Sequence, residues 1–272
     1  MKKTLCHTVL VCGVLSWPVM AMAADADQNV VMDKVSEQGV SDQVAAAIND
    51  DLRFRKEDWA QEFIDLQELG PRVLPRDFKI TVPAFTAHSS EATQAELAAL
   101  KAFAAEERSA ARVELIKTEH SAMPLYKLFA DQGFYDFEKA PVTNSLLASV
   151  DRDVSYFLMD QKLHWQRPRP TQLDASLTSV VPVPKHSSYP SGHAAQAYAS
   201  ALTLARIDPA HAAQYKALAM DIAHRREVAG VHYPSDSVAG RMVAEQVVAA
   251  MFENAEIQKR LELAKKEFAA TH

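Results

Sequence analysis

Three short stretches of the chain gather basic and histidine side chains where a helix meets a loop. The first runs Lys162-Leu-His-Trp-Gln-Arg-Pro-Arg169-Pro170 and the second Ser188-Tyr-Pro-Ser191-Gly192-His193. The third runs from Arg225-Arg226 to His232-Tyr-Pro-Ser-Asp236. Lys162, Arg169 and Arg226, concentrated at such junctions in a chain of formal charge −6, point to an anion-binding site. Ser191 and Gly192 fall where a helix starts, and the free N–H groups and dipole of a helix start favour negative charge. Gly192 lets the backbone approach a ligand without steric cost, and His193 stands in the first turn as a proton donor. His232 and Asp236 are four positions apart, so the carboxylate can hold one ring nitrogen, fix the tautomer and leave the other nitrogen free to attack phosphorus. Phosphoryl transfer then needs little beyond positioning and charge neutralisation, which the three cations supply.

The elements that must carry these groups read as helices separated by proline-marked loops. Ser41 caps a short segment through Ile48. Trp59, Phe63 and Leu66 recur at helical spacing until Gly70-Pro71. Residues 70–90 form a long irregular stretch, of the kind that usually serves as a rim or mobile segment, and are expected to border the pocket. Glu91 to Lys117 reads as one long amphipathic helix. Further helices follow: Pro141 to near Lys162, one from Gly192, one opened by Asp208-Pro209, one from Pro234 to Met251, and a last one within Ile257–Phe268. No repeat, linker or composition shift divides them.

Composition narrows the class. The 272 residues are 48% hydrophobic and 24% charged, an ordinary globular balance that argues against disorder. Only 7 glycines are present, which speaks against a barrel or sandwich of many tight turns. The acidic balance excludes a general nucleic-acid-binding role. Residues 1–23 have the parts of a cleavable secretory signal: Lys2 and Lys3, the apolar Val9–Leu15, and the small-x-small Ala21-Met22-Ala23. Cleavage would remove both cysteines, Cys6 and Cys12, leaving no disulfide, thiol nucleophile or thiolate metal site. No later segment is long and uncharged enough to span a membrane. The expectation is a periplasmic or secreted protein with a single all-α domain over 24–272.

The ordered pattern Lys162-x6-Arg169-Pro170, Pro190-Ser191-Gly192-His193 and Arg226-x5-His232-x3-Asp236 resembles the three-part signature of the type 2 phosphatidic acid phosphatase superfamily. That group includes the bacterial class A non-specific acid phosphatases, the branch that the helix order and signal suit, and the vanadium haloperoxidases. The resemblance covers residues 162–236 and implies a single-domain helical bundle of that type. It implies an exported acid phosphatase acting on small-molecule phosphate monoesters through a phosphohistidine. His232 would be the nucleophile and Asp236 its orienter, and His193 would act as acid and then base. Lys162, Arg169, Ser191, Gly192 and Arg226 would bind phosphate. No metal or cofactor is implied, and vanadate enters as a transition-state-like inhibitor. It would be a cofactor only in the alternative reading, a vanadate-dependent haloperoxidase; a lipid or pyrophosphate phosphatase of the same superfamily is a further alternative. A homo-oligomer is left open. Arg225 stands where the family often has serine, Ala194 where a hydroxyl residue often follows the histidine, and Thr171 where an apolar or aromatic residue is common.

Outside the pattern, each residue also has a plainer reading. Lys162 alone would be a helix terminus, Ser191 a cap, and Asp236 a first-turn charge. His164, His186 and His224 match no signature position, and His88, His120 and His211 read as surface residues. Arg167 adds positive charge that steers anions without ligating them. Trp165 and Tyr189 read as core packing ahead of stacking on a leaving group. A phosphate-binding module without turnover, or a metal hydrolase using His193, His232 and Asp236, would be the competing classes.

Overall fold

A computed structural model describes residues 49–271, all within one compact unit, Gln38–His272. The expected signal and the Ser41–Ile48 segment lie outside the described residues. The helices are α1 (Gln61–Leu69), α2 (Glu91–Glu106), α3 (Ala110–Ser121), α4 (Lys127–Asp131), α5 (Pro141–Trp165), α6 (Pro170–Leu173), α7 (Gly192–Ile207), α8 (Ala212–Val228), α9 (Pro234–Met251) and α10 (Ala255–Thr271). The described residues contain no strand, and none of their helices is long and apolar enough to cross a membrane.

The centre is α7, which packs against α5, α8 and α9, while α10 lies on α5 and α7. Its run of buried alanines, Ala194, Ala195, Ala197, Ala199 and Ala201, explains why three helices can crowd it: small side chains let backbones approach closely. The tightest contact is at Gly240 of α9, where an added Cβ would stand 2.5 Å from the Ser191 carbonyl oxygen and 3.0 Å from Ala194 Cβ. Around this seam Leu146, Val150, Val154, Phe157, Val243 and Val247 close the main core.

The expected single helix over Glu91–Lys117 is two helices. Good helix formers flank the break, but Ser109 takes extended backbone and its side chain accepts the Arg112 N–H, an N-cap that starts α3 afresh. The loop after Arg169 also contains the short helix α6. Residues 70–90 contain no helix, and polar anchors on two helices hold them down. The Asp153 carboxylate on α5 accepts N–H groups of Arg72, Val73 and Leu74, and Gln246 on α9 exchanges two hydrogen bonds with the Thr81 backbone. This stretch reaches the site region through Pro83, whose carbonyl takes the Tyr189 hydroxyl, and through Phe85, whose ring faces Arg167.

Candidate active site

Local structure places each group. Helix α5 ends at Gln166, a non-glycine residue in left-handed backbone (φ 51°), and this turns the chain so that Lys162 and Arg169 both point inward. Lys162 is fully buried; its Nζ donates to the Ser187 and Ser188 carbonyls at 2.7 and 2.8 Å, and Ser187 Oγ returns a bond to the Lys162 carbonyl at 2.7 Å. Arg169, also fully buried, donates through Nη1 to the Val231 carbonyl at 2.7 Å and to His232 Nε2 at 2.9 Å, and through Nε to the His186 carbonyl at 3.1 Å.

His232 Nδ1 lies 3.0 Å from Asp236 Oδ2. A carboxylate can only accept and a guanidinium can only donate, so the imidazole carries its proton on Nδ1 and keeps a lone pair on Nε2. Asp236 sits in the first turn of α9, where its carboxylate also accepts the Tyr233 N–H and the Ser188 hydroxyl, and its backbone carbonyl accepts the Ser191 N–H. That last bond ties the second motif directly to the third.

At the start of α7, Ser191 caps with its backbone while its side chain makes no capping bond. The Ser191 hydroxyl, His193 Nε2, and Arg226 Nε and Nη1 are all buried without hydrogen-bond partners in the protein. Such orphans are rare in native interiors and mark polar groups reserved for a ligand or water. Gly192 is in no tight contact: an added Cβ would meet Leu158 at an ordinary 3.4 Å. Motif residues from all three stretches therefore lie together.

Electrostatics give the site its preference. Burial pushes Arg169 down to about 9, with Arg226 adding and Asp236 opposing; burial pushes Arg226 down to about 10 against the pull of Glu119. Lys162 is pushed well down by burial and by Arg169. Each cation thus lacks enough negative charge near it, and an oxyanion bound among them would supply it. Burial, followed by Arg226 and His232, drives His193 well below the ordinary imidazole range; burial and Arg169 do the same to His232 against the pull of Asp236. For Asp236 burial acts upward, but Arg167, His232 and Ser188 together hold the carboxyl well below the usual range.

Several supporting groups gave no sequence signal. Arg167, read as a steering charge, is fully buried: Nη1 pairs with Asp236 Oδ1 at 2.7 Å, Nη2 with Glu96 Oε2 at 2.8 Å, and its face covers the Tyr233 ring at 3.7 Å. His186 is buried beside Arg169, its Nδ1 3.1 Å from Nη2. His120, read as a surface residue, faces Arg226 and His193, and His88 is buried; His211 is largely exposed, as expected. Arg225, which departs from the family pattern, is clamped by the Glu119 carboxylate at 2.5 and 2.7 Å. His224 lies between Glu107 and Glu227, and Trp165 packs on Phe85 and Tyr189. Among the described residues no cluster of three His, Cys, Asp or Glu side chains is arranged to hold a metal ion.

Fold and site together define an all-helical protein with buried cations gathered around a carboxylate-oriented histidine. Residues 144–258 match the model of the PAP2 superfamily. Over 85 residues the chain is 42% identical to a non-specific acid phosphatase of Providencia stuartii, covering 31% of this chain and 34% of that one. Over 83 residues it is 39% identical to an acid phosphatase of Zymomonas mobilis subsp. mobilis, covering 30% and 31%. The matches thus span about a third of the length of these relatives. The crystal structure of a bacterial vanadium-dependent iodoperoxidase superposes with a TM-score of 0.51 at 18% identity, over 65% of this chain and 53% of that one, which shows a shared fold. The all-α architecture is therefore of the acid phosphatase and haloperoxidase type.

Proposed function

We propose that the protein is an exported acid phosphatase that hydrolyses phosphate monoesters through a phosphohistidine, without a metal ion. The observation that carries this reading is the His232 tautomer. Asp236 holds the Nδ1 proton, and the Nε2 lone pair faces the buried cations that would collect a phosphoryl group.

In the first step the phosphoryl oxygens draw the donors of Arg169 and Arg226 and those of Lys162, Ser191 and the Gly192 N–H, which brings phosphorus to His232 Nε2. Nε2 attacks, the P–O ester bond breaks, and protonated His193 gives its proton to the leaving alkoxide. The N–P bond leaves positive charge on the imidazole, which Asp236 stabilises. In the second step neutral His193 takes a proton from water, the hydroxide displaces His232, and orthophosphate leaves. Named relatives at 42% and 39% identity are acid phosphatases, which supports the ester class. Residues 1–23 supply the export signal and 24–272 the catalytic domain in this reading.

The test is to quench the enzyme with labelled p-nitrophenyl phosphate and map the label. Label on His232 in the wild type, resistance of turnover to chelators, inhibition by vanadate and no turnover in His232→Ala are expected. Turnover surviving in His232→Ala would remove the covalent route. Amino-terminal sequencing of the exported protein should begin at Ala24.

A further inference from the structure

Helix α3 lies wholly before the three motifs, yet its last turn reaches into the site. Glu119 clamps Arg225 with both carboxylate oxygens, and its backbone lies against the His193 ring. The next residue, His120, turns its half-buried imidazole toward Arg226, placing Nδ1 3.2 Å from Nη2. The guanidinium can only donate, so His120 Nδ1 accepts and the ring is neutral in this contact. Among the described residues this is the hydrogen bond that fixes the rotation of the Arg226 guanidinium, since Nε and Nη1 are buried and unpartnered. The His120 ring also lies within 11° of parallel to that of His193, with centroids 6.4 Å apart.

We propose that His120 is a positioning residue for Arg226, holding Nη2 so that Nε and Nη1 face the phosphoryl oxygens. An imidazole suits this task where a carboxylate would not. A carboxylate would hold the guanidinium equally well but neutralise the charge that must attract the oxyanion, whereas a neutral acceptor orients it and leaves the charge intact. The inference rests on reading the site as one for phosphoryl groups, and it adds to that reading a fourth stretch of chain.

The experiment compares wild type, His120→Ala and His120→Asn, because Asn Oδ1 stands where Nδ1 does and accepts in its place. KM and kcat are measured with p-nitrophenyl phosphate, and orthophosphate affinity by calorimetry. In His120→Ala, KM and the orthophosphate Kd should rise about tenfold while kcat stays within about threefold. In His120→Asn both should return to within about threefold of wild type. Unchanged phosphate affinity in His120→Ala, or equal impairment in the two variants, would overturn the proposal. A wild type without esterase activity would sink the functional reading, while the orthophosphate titration would still decide the role of His120.

Discussion

Arg167 and Asp236 are paired at 2.7 Å with both side chains wholly out of solvent. Arg167 takes Oδ1, leaving Oδ2 for His232, so the guanidinium stands behind the carboxylate on the side away from the reactive ring. Its second nitrogen holds Glu96 on α2. One cation therefore fixes the orienting acid of the site and a distant helix together.

Arg167→Met should destabilise the protein by about 3–5 kcal/mol, because it leaves two buried carboxylates without their cation. Adding Glu96→Gln should recover at least about 1 kcal/mol, since one of the two stranded charges is then gone. Chemical denaturation of the four-member cycle measures both; strictly additive effects would mean that Arg167 and Glu96 do not act as a unit. The same pairing sets an acid limit. The carboxyl of Asp236 is depressed on folding, so its contribution is present above the ordinary carboxylate range and disappears as pH falls through its folded value.

Acid dependence of turnover follows from the two imidazoles. The reaction needs one proton shared by the pair and resident on His193, and both rings sit well below the ordinary 6.5 in the free protein. The kcat/KM profile should therefore peak in acid and fall about tenfold per pH unit towards neutrality as that proton is lost. A bound phosphoryl group favours the protonated ring, so the alkaline limb of kcat should lie at higher pH than that of kcat/KM. A kcat/KM flat between pH 5 and 8 would refute this assignment.

Gly240→Ala tests the seam between α7 and α9. The new Cβ would press on the Ser191 oxygen and on Ala194, so the start of α7 must move. We expect a loss of about 1–3 kcal/mol and a fall in kcat/KM of at least tenfold, because the same turn carries Ser191 and His193. Gly133→Ala is the control: its φ of 81° makes the substitution strained, but nothing lies within 4 Å. It should lower Tm and leave kcat/KM alone. Equal kinetic effects in the two variants would deny the seam any special role.

The share of this that is legible in sequence depends on spacing. Lys162 and Arg169 flank one helix end, and His232 and Asp236 straddle another helix start, so local periodicity is enough to pair them. Helices α5 and α9 likewise announce themselves by proline at the first turn. Glu96, Glu119 and His120 reach the site only through tertiary packing, and a single acid or histidine on an amphipathic helix carries no mark of its partner. The α2–α3 break was hidden for a similar reason: alanine and glutamate on both sides of Ser109 favour continuing the helix, and one hydroxyl cap decides otherwise.

The family match begins at residue 144. Everything that satisfies Arg167, Arg225 and Arg226 from α2 and α3 lies upstream of that boundary. An excised 144–258 fragment would keep every hallmark of the lineage and yet hold three guanidinium groups that have each lost a partner: Glu96 for Arg167, Glu119 for Arg225 and His120 for Arg226. The hallmarks are not a portable cassette. Grafting this chemistry into another scaffold means transplanting the anonymous helices ahead of it as well.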